Sequence, residues 1–496
     1  MKTIRQILDG APLAAPLPET LAEAPVAGLE YDSRRVKPGA LFFAFLGAKL
    51  DARRFAPQAL ANGAIAVVCD APPVEPFDGP WIQVRHGRQA LALAARNFHG
   101  PDTASVAITG ITGTNGKTTT AYLTDSIFRA AGKTTAMVGT IEYRLAGRTF
   151  EPTNTTPESL DLHRLFAGLA RLGGTDATME VSSHALDQGR VHGVPFHTAV
   201  FTNLTRDHLD YHGTLEAYFA AKRLLFEGRE APPPRWAVLN QDDPWTARIP
   251  IQPETRVIRY GTSDAAELRA TGISADFAGL RFETAWNGER LEVASPMLGK
   301  INVYNILAAI GAGLARGVAA EAILQGIASC AAVPGRFERI EEGQPFLVIV
   351  DYAHTDDALR NVIAAARDLK PKRVITVFGC GGDRDRNKRP LMGQAVAEAA
   401  DLVVLTSDNP RSEDPLSIMN DALVGIRRYD VEHRVEPDRE AAIRLALSLA
   451  NAGDIVIVAG KGHETHQTVG GRKLPFDDRE VARRLLRQFG YQREGA

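Results

Sequence analysis

At 496 residues the chain is too long for one ordinary domain, and about two to four are expected. Its composition, 45% hydrophobic and 23% charged, is that of a globular protein and excludes a disordered or fibrous one. Lysine and arginine number 57 against 59 aspartate and glutamate, and a net charge of -2 argues against a nucleic-acid partner.

The opening Met1-Lys2-Thr3-Ile4-Arg5 leads into no apolar run of signal-peptide length, and no segment approaches a membrane span. The three cysteines, Cys69, Cys330 and Cys380, are far apart and have no paired spacing for zinc or a redox motif. Cys380, in Phe378-Gly379-Cys380-Gly381-Gly382, reads as a small residue packed at a strand end rather than a nucleophile. Few, unpaired cysteines suit a reducing cytosol, so a cytoplasmic protein with no membrane partner is expected.

A first region, residues 1–101, holds the apolar runs Ala40 to Phe45 and Ala64 to Val68, with a short amphipathic helix at Phe55 to Ala61. Asn97-Phe98-His99-Gly100-Pro101 carries a Gly-Pro break and reads as a linker. The second region, 102–333, opens with the strand Ser105 to Thr109, a glycine loop and a helix from Thr118 to Ala130, the start of a parallel α/β sheet. Further strands are expected at Asp176 to Val181, Thr198 to Thr202 and Trp236 to Leu239, with a helix at Leu215 to Phe226. Val257 to Leu298 reads as a β-meander with turns at Phe277-Ala278-Gly279 and Asn287-Gly288. The third region, 334–496, alternates strand and helix: strands Phe346 to Val350, Arg373 to Phe378, Leu402 to Thr406 and Asp454 to Val458, helices Asp357 to Asp368 and Met392 to Ala399. This is a second doubly wound sheet of the Rossmann class. The fold class is therefore α/β, with a central phosphate-loop ATPase sheet and a C-terminal Rossmann-like sheet.

The glycine loop carries the chemistry. Backbone N–H groups of a glycine-rich turn at a helix N-terminus form an anion site, and a lysine adds a point charge. In Gly113-Thr114-Asn115-Gly116-Lys117-Thr118 the glycines permit close approach, Lys117 supplies the charge, and the Thr118 hydroxyl suits magnesium. Ile111 stands where a strict P-loop has glycine, with Gly110 one residue early, so the loop is a variant. Glu180 ends one strand and His208 follows another, positions that face the ligand crevice of an open α/β sheet.

These segments, with Gly299 to Asn305, Gly335-Arg336-Phe337-Glu338 and Asp351-Tyr352-Ala353-His354, together resemble the Mur ligase family, from about Tyr31 to Phe476. The resemblance implies three domains: an N-terminal one for the UDP part of the substrate, a central ATPase and a C-terminal Rossmann-like domain. It is closest to members that add the third residue of the peptidoglycan stem peptide to UDP-N-acetylmuramoyl-L-alanyl-D-glutamate. It implies that Tyr31, Ser33 and Ala48, Lys49 and Leu50 contact the uridine nucleotide. One departure is Ala52, where the family often has glycine. Thr155, Thr156, Ser182, Gln188 and Arg190 would hold the sugar-dipeptide. Arg190 also has its own rationale, because a planar guanidinium grips a carboxylate in two places.

Alone, Lys222 reads as a solvated helix lysine. The resemblance implies a carbamate there, binding Mg2+ with Thr118, Glu180 and His208. Lys117, Glu180, His208 and Lys222 would be the catalytic group. ATP would be held by Gly113 to Thr118, Thr119, Asn302, Asn305, Arg336, Asp351 and His354. The implied reaction passes through an acyl phosphate; a monomer is expected. The third residue is chiefly meso-diaminopimelate or L-lysine, which differ by one terminal carboxylate. Arg411, in Asp408-Asn409-Pro410-Arg411, would pair with that carboxylate for about 1.5–3 kcal/mol. Arg389, Gly460 and Glu464 match the remaining amino-acid contacts, Glu464 facing an ammonium. The alternatives are an L-lysine-adding homologue and a folylpolyglutamate synthetase-like ligase, which shares the ATPase core but not the N-terminal domain or the Asp-Asn-Pro-Arg element.

Overall fold

The structure is a computed structural model that describes residues 1–45, 51–228 and 231–492. Its first sheet has four parallel strands in chain order, Gly28–Glu30, Ala40–Ala44, Ala66–Cys69 and Trp81–Gln83. A short 3-10 turn at Ala52–Phe55 precedes the helix Ala56–Ala61, and Asp51 accepts from the Arg53 N–H to start it. Ala52 is not left-handed, so no glycine is required there.

The expected linker at 97–101 does not exist. The helix Gly87–Thr103 runs through it, Pro101 included. Proline has no N–H for the carbonyl four residues back, here that of Asn97, and the Lys2 ammonium donates to that oxygen instead. This helix packs against Ser159–Arg171 of the second region, so the two regions meet along a helix pair.

The central sheet runs in the order Leu268–Arg269, Arg256–Gly261, Trp236–Asn240, Phe196–Phe201, Ala107–Thr112, Asp176–Glu180, Thr135–Val138, Tyr143–Leu145 and Arg148–Phe150. The neighbours are parallel up to Thr135–Val138, and the last two strands form an antiparallel hairpin edge. Ala107–Thr112 lies mid-sheet, and the chain leaves it in both directions. Its carboxyl end therefore opens on a crevice between crossovers. The meander expected over Val257 to Leu298 divides in two. Arg256–Gly261 joins the parallel sheet, because its apolar residues are sandwiched rather than half-exposed. The meander proper is Thr271–Asp276, Gly279–Trp286 and Glu289–Ser295. Asn287 and Gly288 both take the left-handed backbone that a tight primed turn requires.

The C-terminal sheet runs Glu338–Ile340, Leu347–Asp351, Ile455–Ala459, Val374–Phe378, Leu402–Leu405 and Glu432–Val435, parallel except for the first. Four of these strands were legible as buried runs. Glu432–Val435 was not, since a half-exposed Glu-His-Arg-Val edge carries no apolar run. Among the described residues no helix is long and apolar enough to cross a membrane.

Candidate active site

The loop after Ala107–Thr112 is built around two glycines that admit no side chain. Gly113 has φ 146°, and a Cβ there would lie 1.9 Å from Thr202 Oγ1. Gly116 has φ 85°, and its Cβ would lie 2.3 Å from Asn305 Oδ1. Asn203 fixes the loop: its Oδ1 accepts the Asn115 N–H at 2.9 Å, and its carbonyl accepts that of Thr114. The helix Lys117–Ala130 then starts with Gly116 as cap, its N–H groups turned to the crevice. Lys117 Nζ folds back onto the carbonyls of Gly113 and Thr114, at 2.9 and 2.8 Å.

Thr118 and Glu180 are both buried, and the Thr118 hydroxyl donates to Glu180 Oε2 at 2.9 Å. Thr140 holds the same carboxylate with its N–H (2.7 Å to Oε1) and its hydroxyl (3.1 Å to Oε2). Among the described residues no three of His, Cys, Asp and Glu converge as a metal-ligand cluster. One carboxylate and one hydroxyl beside a phosphate loop nevertheless fit a divalent magnesium ion, which takes few protein oxygens and completes its shell with phosphate and water.

His208 and Lys222 stand in the same crevice on the other side of the loop. His208 has left-handed backbone (φ 53°), unusual outside glycine, and pairs with Asp207 at 3.5 Å. Burial pushes its pKa down to about 4, against the pull of Asp207, so the ring is neutral at pH 7. Lys222 is not the solvated lysine its sequence context suggests. It is 1% exposed, donates to Gly113 O at 2.7 Å, and lies 4.4 Å over the Tyr218 ring. Desolvation, then the like charge of Lys117, holds its pKa well below the ordinary lysine value.

The third region closes the crevice, which encloses about 540 Å3. Arg336 reaches Thr118 Oγ1 at 3.5 Å and lies 4.4 Å over Tyr352. Asp351 accepts the N–H groups of Phe337 and Ala353, and burial pushes its pKa up. Asn305 donates to Asn302, which in turn donates to Leu298 O. His354 is exposed at the rim and bonds the Tyr352 carbonyl. Thr119 is buried in the first helical turn. Asp357, Asn203 and Thr140 belong to this site, and the sequence reading passed over them. Asp357 accepts from Asn115 at 3.2 Å and Thr205 at 2.9 Å across the domain boundary. Lys388 pairs with Asp207 across it at 3.5 Å. Asn203 carried a signal, directly after a strand end, whereas Asp357 meets the loop only through domain packing.

The residues expected to hold the sugar-dipeptide come together. Arg190 donates to Thr156 O at 3.0 Å and to Gln188 at 2.7 Å. Thr156 donates to Glu180 O at 2.8 Å, and Ser182 caps the helix Ser183–Asp187. Thr155 bonds Thr140 at 3.1 Å and, with Ser182, reaches the crevice wall. Tyr31 and Ser33 sit apart on the first region, Tyr31 donating to Asp161 and Ser33 to Gln58. Ala48, Lys49 and Leu50 lie outside the described residues.

The amino-acid group lies at the carboxyl ends of the third sheet, on two loops. Arg411 is left-handed (φ 53°) and donates from Nη1 to Gly382 O at 2.6 Å. Pro410 separates it from Asn409, whose Nδ2 donates to Glu464 at 2.8 Å. Asp408 is buried, which pushes its pKa up, and its Oδ2 has no hydrogen-bond partner. A Cβ on Gly460 would lie 2.5 Å from that oxygen. Arg389 is buried rather than open to a ligand. Its guanidinium grips Glu413 (2.6 and 2.9 Å) and Asp421 (2.9 Å), with Nε left unpartnered. Cys380 is buried against Met392, and burial pushes its thiol up to about 12, as suits a packed strand end.

Models of three Mur ligase families match the chain in succession: the Mur ligase family catalytic domain at residues 25–99, the Mur ligase middle domain at 111–313, and the Mur ligase glutamate ligase domain at 335–462. The chain is 63% identical over 486 residues to the UDP-N-acetylmuramoyl-L-alanyl-D-glutamate--2,6-diaminopimelate ligase of Solibacter usitatus, covering 98% of each chain. It is 44% identical to the Geobacillus thermodenitrificans protein of the same name, over 93% of this chain and 95% of that one. A solved structure of a ligase with that name superposes with a TM-score of 0.71 at 34% identity, covering 99% of this chain and all of the other.

Proposed function

This chain belongs to the Mur ligase family, and from that premise we propose how its three domains share one reaction. It is an ATP-dependent carbon–nitrogen ligase of peptidoglycan synthesis, adding meso-diaminopimelate to UDP-N-acetylmuramoyl-L-alanyl-D-glutamate. Relatives matched over nearly the whole chain carry that activity in their names, so the L-lysine-adding and folylpolyglutamate synthetase-like readings give way to it.

Residues 1–101 take the uridine nucleotide, 102–333 the ATP phosphates, and 334–496 the amino acid. The observation that carries this assignment is Thr118 against Glu180 on one side of the crevice, with Arg336 entering from the other domain. A D-glutamyl carboxylate oxygen bonds to the γ-phosphorus of ATP as the β–γ anhydride bond breaks. Both reactants are anionic. The loop N–H groups and Lys117 offset the repulsion, and Arg336 adds charge where the γ-phosphoryl moves. A magnesium ion held by Thr118 and Glu180 would neutralise the phosphate oxygens. The amine nitrogen then bonds to the acyl carbon, the carbon–oxygen bond to phosphate breaks, and the nitrogen loses a proton. Neutral His208 leaves the Lys222 neighbourhood free of a further positive charge.

Lys222 is proposed to carry a carbamate. Its depressed pKa favours the neutral amine, the form that attacks carbon dioxide, and the product is an anion beside the phosphate loop. Removal of carbon dioxide lowers wild-type activity, and a Lys222→Ala enzyme fully active without added carboxylates would refute this. We read the enzyme as a cytoplasmic monomer, the location following from its place in peptidoglycan precursor synthesis. Phosphate release, measured with the UDP-dipeptide and each candidate amine, tests the whole assignment. Faster release with L-lysine than with meso-diaminopimelate overturns the choice of amino acid.

A further inference from the structure

Behind the loops Asp408–Arg411 and Gly460–Glu464 lies a lysine with no solvent exposure. The Lys461 ammonium has three N–H groups and three acceptors: Glu464 Oε2 at 2.8 Å, His466 O at 2.6 Å and Asn409 Oδ1 at 3.3 Å. All of its donors are engaged, so any effect on a bound amino acid passes through these partners. Two of them are amino-acid candidates on different loops. Asn409 Nδ2 donates to the same Glu464 oxygen at 2.8 Å, and Asn409 Oδ1 also accepts the Thr468 N–H at 2.8 Å.

The bases of the two loops are tied in parallel. Arg439, fully buried, donates to the carbonyls of Ser407 and Ala459 at 3.2 and 2.9 Å, the residues immediately before each loop. Asp478 fixes that guanidinium with two bonds of 2.8 and 2.7 Å. The other charge facing Lys461 is Asp408, whose Oδ2 is buried and unpartnered. Burial pushes the Glu464 pKa up, but Lys461 and the Asn409 bond outweigh it and hold the carboxylate below its ordinary value.

We infer that Lys461 is a positioning residue of the amino-acid subsite, locking Glu464 and Asn409 into one arrangement that presents the second Glu464 oxygen to the substrate's ammonium. The inference rests on the assignment of these two loops to the amino acid. A lysine that only satisfied buried acceptors would affect stability and all substrates alike. A positioning lysine affects one substrate.

The test compares Lys461→Met, Glu464→Gln and the double variant in the full-length enzyme, measuring KM for meso-diaminopimelate, ATP and the UDP-dipeptide together with melting temperature. Lys461→Gln, which keeps a donor without the charge, replaces Lys461→Met if the latter does not fold. The expected result is a rise of about tenfold or more in KM for diaminopimelate with Lys461→Met, the other two KM values staying within about twofold. The double variant should then be little worse than Glu464→Gln alone, because both changes remove one interaction. An unchanged diaminopimelate KM in Lys461→Met beside a raised one in Glu464→Gln overturns the inference and leaves the site assignment standing. An equal rise in all three KM values, or a fully additive double variant, also overturns it. If Glu464→Gln leaves the diaminopimelate KM unmoved, the site assignment itself falls.

Discussion

The Nζ of Lys222 donates to the carbonyl of Gly113 at 2.7 Å, joining a buried helix lysine to the first glycine of the phosphate loop. A lysine whose folded pKa lies below the unfolded value binds its proton more weakly in the native state. Between those two values the unfolded chain holds more protons, so stability from this group rises with pH and is lowest at neutral pH. Lys222→Met should therefore be more stable than wild type at pH 7 in buffer free of carbon dioxide, with the gap narrowing toward pH 10. Urea unfolding at pH 7, 8, 9 and 10 measures it, and a gap that does not narrow contradicts the burial argument.

Glu180 accepts from Thr118, from the Thr140 hydroxyl and from the Thr140 N–H, all where phosphoryl charge would develop. Glu180→Gln keeps the shape and removes the charge. The expected loss in kcat is about 10²–10³-fold, with a smaller change in KM for the UDP-dipeptide. Steady-state phosphate release decides it; a kcat within tenfold of wild type would mean that the carboxylate only caps Thr118.

Asp357 reaches across the domain boundary to Asn115 and Thr205 and also accepts from Asn361. Asp357→Ala leaves those donors without their partner, at a cost of about 1–2 kcal/mol to the closed arrangement. The KM for ATP should rise about 5–30-fold while the melting temperature moves little, since the contact lies between domains. A lowered melting temperature with ATP binding intact would assign the residue to folding instead.

His163 lies in the helix Ser159–Arg171, buried where that helix meets Gly87–Thr103, and neither ring nitrogen has a hydrogen-bond partner. Desolvation, then the charges of His99 and Arg96, takes its pKa down to about 3. The unfolded chain takes up this proton below about pH 6.5, so stability falls as pH drops from there toward 3 and then levels. His163→Leu removes that slope. Relative to its value at pH 8, the variant should gain about 2 kcal/mol over wild type at pH 5, by denaturant titration. Parallel curves for the two proteins would show that this ring titrates alike in the folded and unfolded states, against the burial argument.

Much of the fold was readable because buried parallel strands are unbroken apolar runs, as at Leu402–Leu405 and Ile455–Ala459. The misreadings share a cause. The helix through Asn97–Pro101 persists because Lys2, 95 residues away in sequence, takes the carbonyl that Pro101 cannot serve. Lys222 looks like a surface lysine on a glycine-free helix until packing places it against Gly113. Arg389 is expected from the sequence only as an amino-acid contact, and no local signal shows that Glu413 and Asp421 hold its guanidinium.

The sequence alone determined the phosphate loop, since a strand, two obligatory glycines, a lysine and a helix lie within a dozen residues and interact locally. It also determined the order of the three regions and the family, which follow from motifs contiguous in the chain. Tertiary structure alone decided which charges are available. Burial by the packed fold shifts the pKa values of Lys222, His208 and Asp408, and that burial comes from segments distant in the chain, as where Lys222 meets Gly113. Asp357 joins the loop only because two domains fold against each other, and Lys461 links Asn409 to Glu464 only because two strands of one sheet, with Val374–Phe378 between them, run parallel and end at the same edge.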